Sequence, residues 1–202
     1  MEATAAPRGV ISLAVSTSII GFFASCGQYR REWFRRGKGK GMKANQRQAV
    51  HLAEGEGKML WVADELVTFK VSSEDTGGTY SLTDSLVPPQ GEVPPHIHYR
   101  EDEAFWVLEG ELEILVGEDT FRVEAGSFVH LPKGVWHTYK NVGMRPARFL
   151  TLMVPAGVEK FFEEVGKPAT DPSSPPPFGE VDIERFLAVA PRYGVEILSP
   201  EP

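Results

Sequence analysis

Short runs of β-branched, aromatic and aliphatic residues recur along the chain between Met42 and about Met153. Turn-forming residues, mostly glycines with nearby proline, asparagine or aspartate, separate these runs. No helical periodicity intervenes, and evenly spaced short strands of this kind predict an antiparallel sandwich or barrel. The predicted strands cover residues 66–71, 105–108, 112–116, 120–123, 128–131 and 149–153.

Helical patterns occur only after the strands. The apolar positions within Ala156–Val165 lie on one helical face and predict a first short helix. The stretch Pro168–Gly179 is rich in proline and serine and predicts an irregular connector. Asp182 is a typical N-cap residue and predicts a second helix over Ile183–Ala190, ending before Pro191. The expected fold class is therefore all-β with short C-terminal helices.

The charge divides the chain into two parts. The protein has 202 residues and a formal charge of −7, yet residues 1–41 contain seven basic and two acidic residues. We therefore expect residues 1–41 to form a separate segment outside the barrel and residues 42–202 to form the folded domain. The acidic domain lacks the basic face that nucleic-acid phosphates require, so we expect neither a nucleic-acid partner nor membrane binding for it.

The first segment has three interpretations. Val10–Ala24 is apolar, has the length of a signal peptide and precedes Cys26 in a sequence similar to a lipoprotein cleavage box, which would imply export. Six positive charges follow, and positive charge on that side opposes export. Alternatively, translation starts at Met42, where regular patterning begins, or the segment is a disordered or anchored tail. We favour a start at Met42 and a cytoplasmic location, with an exported lipoprotein modified at Cys26 as the alternative.

Histidines cluster in the central part of the chain. His96 and His98 are two residues apart, so both imidazoles point to the same face of an extended strand. Glu103 heads a strand on which it shares a face with Phe105, and His137 follows the next proline-glycine turn. Imidazole nitrogens and a carboxylate are donors that divalent transition metals prefer, so the pattern indicates a metal site.

Two segments resemble the defining motifs of the cupin superfamily. Gly91–Gly110 is similar to the first motif, G-x5-H-x-H-x3,4-E-x6-G, with one residue fewer before the first histidine. Gly126–Asn141 matches the second motif, G-x5-P-x-G-x2-H-x3-N, at every defined position. The 15 residues between them resemble the shortest, microbial type of spacer. Residues 154–162 and 192–198 resemble single-domain cupins commonly labelled quercetin 2,3-dioxygenase-like.

The resemblance implies a conical jelly-roll barrel, or double-stranded β-helix, over residues 42–202. Its core motifs would lie at 91–141 and its C-terminal helical segment at 156–202. A homodimer is also expected from the family. The resemblance further implies one divalent transition metal ion, and ligand spacing does not distinguish Mn, Fe, Co, Ni, Cu and Zn. The implied metal ligands are His96, His98, Glu103 and His137.

Several neighbouring residues have alternative interpretations. The run Glu101–Glu103 could be a solvated acidic turn, but strand parity and the spacing to Gly110 favour Glu103 as a ligand. We expect His130 to be a core or pocket histidine outside the metal set, and Trp106 to pack inside the protein. The aromatic residues expected to line the barrel beside a flat substrate are Phe105, Phe128 and Tyr139.

The expected function is that of a metal-dependent dioxygenase acting on a small phenolic or enolic, flavonol-like substrate. Glu103 would be the catalytic base that takes the proton of the substrate hydroxyl. The partners would be this small molecule and O2. Two alternatives stay open: a cupin isomerase or epimerase, and a cupin that binds a small molecule without catalysis. A sugar phosphate is disfavoured because no Lys/Arg cluster falls among the expected barrel positions.

Overall fold

The computed structural model describes residues 48–173 and 182–198, and the strands in these ranges form two antiparallel sheets. In spatial order the larger sheet consists of β11 (Lys167–Pro168), β1 (Lys58–Val62), β2 (Glu65–Val71), β3 (Ser81–Val87), β10 (Ala147–Val154), β5 (Asp102–Glu109) and β8 (Phe128–Leu131). The smaller sheet consists of β12 (Val195–Ile197), β4 (His96–His98), β9 (His137–Asn141), β6 (Glu111–Val116) and β7 (Asp119–Glu124). This architecture confirms the predicted all-β class.

Three short α-helices and one 3₁₀ helix complete the described part of the chain. They are α1 (Ser73–Thr76), α2 (Glu159–Val165), α3 (Ile183–Val189) and the 3₁₀ helix (Ala190–Tyr193). None of the helices in the described ranges is long and apolar enough to cross a membrane. The apolar run at 10–24 and Cys26 lie outside the described residues, as does the expected boundary at Met42.

All six predicted strands are present, most of them longer than expected at one or both ends. Among the described strands, β1, β3, β11 and β12 had not been predicted. In β3 the buried positions include Ser81, Thr83 and Ser85, so polar residues occupy the inner face. The sequence of β3 therefore lacks the alternation of apolar and polar residues that usually identifies a strand. Two of these buried residues, Thr83 and Ser85, line the cavity that is described below.

The helix predictions are correct in kind but not at their ends. Helix α2 begins at Glu159 rather than Ala156, after Gly157 with a φ of 151°. The Asp182 side chain accepts a hydrogen bond of 2.9 Å from the Arg185 amide, as expected of an N-cap. The α-helix ends at Val189, before Pro191 as predicted, and a 3₁₀ helix that had not been predicted follows from Ala190. The 3₁₀ helix continues through this proline, which lies in its first turn where no amide donor is needed.

The predicted connector at 168–179 is described only as far as Ser173 and lies otherwise outside the described residues. Before that point, Lys167–Pro168 pairs with β1 as strand β11, which had not been expected.

The core of the described residues consists of three sets of apolar side chains, the smallest of which joins Leu60, Val67 and Phe69 of β1 and β2. The first fills the space between the sheets and is centred on Phe105, Phe149 and Ile114. The second joins α2, α3 and β12 to the end of β10 through contacts that include Phe161 and Val195. The candidate site lies in a cavity lined by residues from all three sets.

Candidate metal centre

The two sheets together supply the candidate ligands. His96 and His98 lie on β4, and His137 on the adjacent β9 is paired directly with His96 in the strand register. Glu103 lies on β5 of the other sheet. Local alternation explains the parallel direction of the two β4 imidazoles. The approach of Glu103 depends on how the two sheets face each other.

The side chains of these four residues converge closely. One nitrogen or oxygen atom from each residue lies within 4.8 Å of the corresponding atom of every other. Glu103 Oε2 lies 3.0 Å from His137 Nε2 and 3.7 Å from His98 Nε2. His98, Glu103 and His137 are each less than 5% exposed. Protein surrounds the group, which restricts the orientations of its side chains.

Hydrogen bonds at the Nδ1 atoms of two imidazole rings orient the Nε2 atoms of these rings. His96 Nδ1 lies 2.9 Å from the Pro94 carbonyl oxygen, and His137 Nδ1 lies 3.2 Å from that of Val135. A carbonyl oxygen only accepts, so each Nδ1 must be the protonated donor. The Nε2 atoms are then available as metal ligands, which is the usual arrangement when the other ring nitrogen is held by a hydrogen bond.

The electrostatics of the group favour a neutral imidazole and an ionised carboxylate. Burial lowers the pKa of His96 to about 3, with repulsion from His137 and His98 adding to the effect. Burial raises the pKa of Glu103, but His98 and the hydrogen bond with His137 outweigh it and lower the value to about 2. Burial lowers the pKa of His98, but the nearby carboxylates of Glu103 and then Glu101 raise it by more. The pKa of His98 therefore lies above its ordinary value.

This donor set fits a divalent transition metal ion. A carboxylate oxygen and an imidazole nitrogen 3.0 Å apart require a proton or a cation between them. Three imidazoles and one carboxylate in one buried group could hold such an ion with positions left for further ligands. The residues that could hold it are His96, His98, Glu103 and His137.

A cavity beside the group encloses about 810 Å³, including open solvent at its mouth. Phe105 and Tyr139 line it, and their rings meet edge to face with centroids 5.5 Å apart. Phe161, Phe162 and Phe186 of the C-terminal helices also contribute to its wall. The aromatic lining suits a flat apolar ligand.

Phe128, expected in the same aromatic wall, lies elsewhere. The strand register pairs it with Trp106 on the opposite face of the sheet from Phe105, where it is 60% exposed. Phe128 is therefore excluded from the cavity lining. The same outward face corrects the expectation for Trp106, which is 54% exposed rather than packed inside. His130 is also exposed and lies 3.9 Å from the Asp102 carboxylate, so it is not a core histidine.

Two buried carboxyl groups near the site were missed from the sequence. Glu65 on β2 lines the cavity and accepts a hydrogen bond from the Tyr139 hydroxyl. Glu101 is 3% exposed, so the solvated acidic turn considered for residues 101–103 is wrong. The alternation of side chains along an extended segment could have indicated that both are buried. Glu65 shares a face with Val67, and Glu101 shares one with Glu103.

Fold and site together define an all-β barrel protein with a His/Glu group that could bind a metal ion. Residues 84–154 match the Cupin_2 family, the cupin domain. The matched part includes both segments that resemble the cupin motifs, so this part of the chain is similar to the cupin domain.

The similarity to individual relatives is partial. The chain is 26% identical over 117 residues to quercetin 2,3-dioxygenase of Bacillus subtilis, which covers 58% of this chain and 34% of that protein. It is 40% identical over 68 residues to germin-like protein subfamily 2 member 2 of Arabidopsis thaliana, covering 31% of each chain. The chain thus spans about a third of the length of either relative.

Solved structures show a similar degree of partial likeness. A predicted oxalate decarboxylase from Thermotoga maritima aligns with a TM-score of 0.49 at 19% identity, over 54% of this chain and 99% of that one. KdgF from Halomonas sp. aligns with a TM-score of 0.49 at 12% identity, over 56% of this chain and 98% of that one.

Proposed function

We propose that this protein is a metal-dependent cupin dioxygenase acting on a small phenolic or enolic substrate of flavonol-like shape. The observation that carries the proposal is a group of three imidazoles and one carboxylate beside a largely apolar, aromatic-lined cavity. The partial similarity to a quercetin 2,3-dioxygenase supports the choice of reaction.

The four ligand residues would hold the metal ion. When bound, a divalent ion would supply a Lewis acid that makes a substrate hydroxyl more acidic. Glu103 is the only carboxylate in the group, and its pKa of about 2 keeps it ionised near neutral pH. Glu103 is therefore the residue placed to accept the proton that the hydroxyl loses.

The remaining cavity residues would orient the substrate and exclude water. Phe105 and Tyr139 present rings against which an aromatic substrate can pack. Phe161, Phe162 and Phe186 come from the C-terminal helical region and cover part of the same cavity. Burial of the substrate ring between these groups would keep solvent away from the reacting hydroxyl.

The first test is metal content. Protein purified from metal-replete medium should contain about one divalent transition metal ion per chain by elemental analysis. His98→Ala and His137→Ala should each lose most of this metal while keeping the circular dichroism spectrum of a folded barrel. A metal-free wild-type protein that also fails to take up added metal would contradict the enzyme proposal.

The second test is an anaerobic titration of the metal-loaded protein with flavonols and simple catechols. Deprotonation of the ligand should shift its absorption to longer wavelength before oxygen is admitted. Oxygen uptake should then follow, because O2 is the oxidant and both of its atoms enter the product. Absence of both signals would favour the isomerase or the non-catalytic binding protein.

The role of Glu103 can be measured separately. Glu103→Gln should retain part of the metal but lower turnover by at least about a hundredfold, since the amide cannot accept the proton. Glu113→Gln is a matched control, because Glu113 lies on β6 and pairs with Arg122 on the surface. Equal turnover in the two variants would remove Glu103 from the proposed chemistry.

A further inference from the structure

Two buried polar atoms without hydrogen-bond partners face each other behind the metal group. They are His98 Nδ1 and Glu101 Oε2, which lie 3.8 Å apart. The Nε2 atom of the same His98 ring faces Glu103 on the opposite side. His98 therefore lies between two carboxylates, one within the metal group and one outside it.

Glu101 is unusual for a carboxylate because almost none of its surface reaches solvent. A carboxylate in such a place is costly unless it is paired or hydrogen-bonded. Within residues 48–173 and 182–198, the only group at ion-pair distance from Glu101 is the His98 ring. The position of Glu101 is thus explained by His98 and by no other charge in the described part of the chain.

The other two imidazoles show what is missing at His98. His96 and His137 each donate from Nδ1 to a backbone carbonyl two residues earlier, at Pro94 and Val135. His98 makes no such hydrogen bond to a backbone carbonyl, because its Nδ1 is a buried atom without a hydrogen-bond partner. Glu101 offers the acceptor that the backbone supplies to the other two rings.

We propose that Glu101 is a positioning residue that accepts the Nδ1 proton of His98 and holds this ring with Nε2 toward the metal ion. The inference rests on the metal site of the proposed function but not on the dioxygenase reaction. The negative charge of Glu101 also makes His98 a stronger donor than a ring bonded to a carbonyl. His98 is accordingly the ligand whose contribution to metal affinity depends on a second side chain.

The test measures metal affinity with Zn²⁺ alone, using competition with a chromophoric chelator. Glu101→Gln keeps the shape of the side chain but removes its charge, and we expect about ten- to hundredfold weaker Zn²⁺ binding. The matched control is Asp102→Asn, because Asp102 is the adjacent exposed carboxylate and contacts Lys133 and His130 instead. This control should bind Zn²⁺ within about twofold of the wild type. The thermal midpoint of the metal-free protein should be similar in both variants.

Nitrogen-15 NMR of the Zn²⁺-loaded protein provides a second readout. We expect His98 to show a protonated Nδ1 and a metal-bound Nε2, with slow exchange of the Nδ1 proton that becomes faster in Glu101→Gln. A metal-bound Nδ1 in the wild type would overturn the inference even if the variant did not fold.

The outcomes separate the two proposals. Equal Zn²⁺ affinity in the wild type and Glu101→Gln would overturn the role of Glu101 and leave the metal site intact. No Zn²⁺ binding by the wild type would overturn the metal site and the positioning role together. Weaker binding in Glu101→Gln with an unchanged metal-free midpoint supports the positioning role, because a purely structural residue would lower the midpoint instead.

Discussion

The carboxyl group of Glu65 lies in the cavity wall. It has no cationic partner in the described part of the chain. Burial raises its pKa to about 7, although hydrogen bonds from Ser85 and Tyr139 oppose this shift. Burial, followed by the charge of Glu65 and the hydrogen bond to it, raises the pKa of Tyr139 well above its ordinary value. Near neutral pH, Glu65 therefore changes between a neutral and a charged side chain inside the site.

This titration predicts a pH dependence of stability. Between the ordinary value of 4.5 and about 7, Glu65 is protonated in the folded state but ionised in the unfolded state. Unfolding then releases a proton, so rising pH favours the unfolded state over this window. The contribution of Glu65 should fall by about 3 kcal/mol between pH 4.5 and 7. Glu65→Gln should remove it while keeping an acceptor for Tyr139.

The measurement is urea unfolding of the metal-free wild type and Glu65→Gln at intervals across this pH range. The difference between the two proteins isolates Glu65, because the opposing contributions of Glu103 and His96 are common to both. A difference that does not change with pH would show that Glu65 has an ordinary pKa in the folded protein.

Among the elements, the turn between β5 and β6 depends on a single glycine. Gly110 has a φ of 80°, and a Cβ at this position would lie 2.7 Å from the Cα of Ala147. Both the left-handed conformation and the contact with β10 therefore disfavour a side chain. This glycine is also the last defined position of the first cupin motif.

We predict that Gly110→Ala lowers the free energy of unfolding by about 3 kcal/mol, combining backbone strain with overpacking. Gly78→Ala is the matched control, because Gly78 has a φ of 82° and no atom within 4 Å of the added Cβ. Its cost should be limited to about 1–2 kcal/mol of conformational strain. Urea unfolding of both variants measures the difference, and equal losses would show that β10 does not restrict this turn.

At the scale of the whole molecule, the charge difference between residues 1–41 and the remainder leads to a further prediction. A chain that begins at Met42 should keep the thermal midpoint and the metal content of the full chain, because the first segment is expected to contribute nothing to the barrel. A midpoint lower by more than about 5 °C would show that the segment packs against it. Detection of lipid on Cys26 in the native host would instead support export. The expected homodimer likewise stays a prediction.

The sequence was sufficient to predict the all-β class and the four side chains that the structure brings together. The four side chains were identified through the resemblance of two segments to the cupin motifs. The all-β class depends on local rules, because side chains alternate along a strand and turns require glycine or proline. The N-cap at Asp182 was predictable for the same reason, since its hydrogen bond spans only three residues. Strand β3 was not, because polar residues fill the buried positions that usually identify a strand.

Only the tertiary structure decided which carboxyl groups are buried and which aromatic rings reach the cavity. Glu65 meets Tyr139 across 74 residues of sequence, a contact created by the way the two sheets face each other. Phe128 points outward because its strand pairs it with Trp106 rather than with Phe105. Such contacts follow from the register and the packing of strands far apart in the chain, which local alternation does not specify.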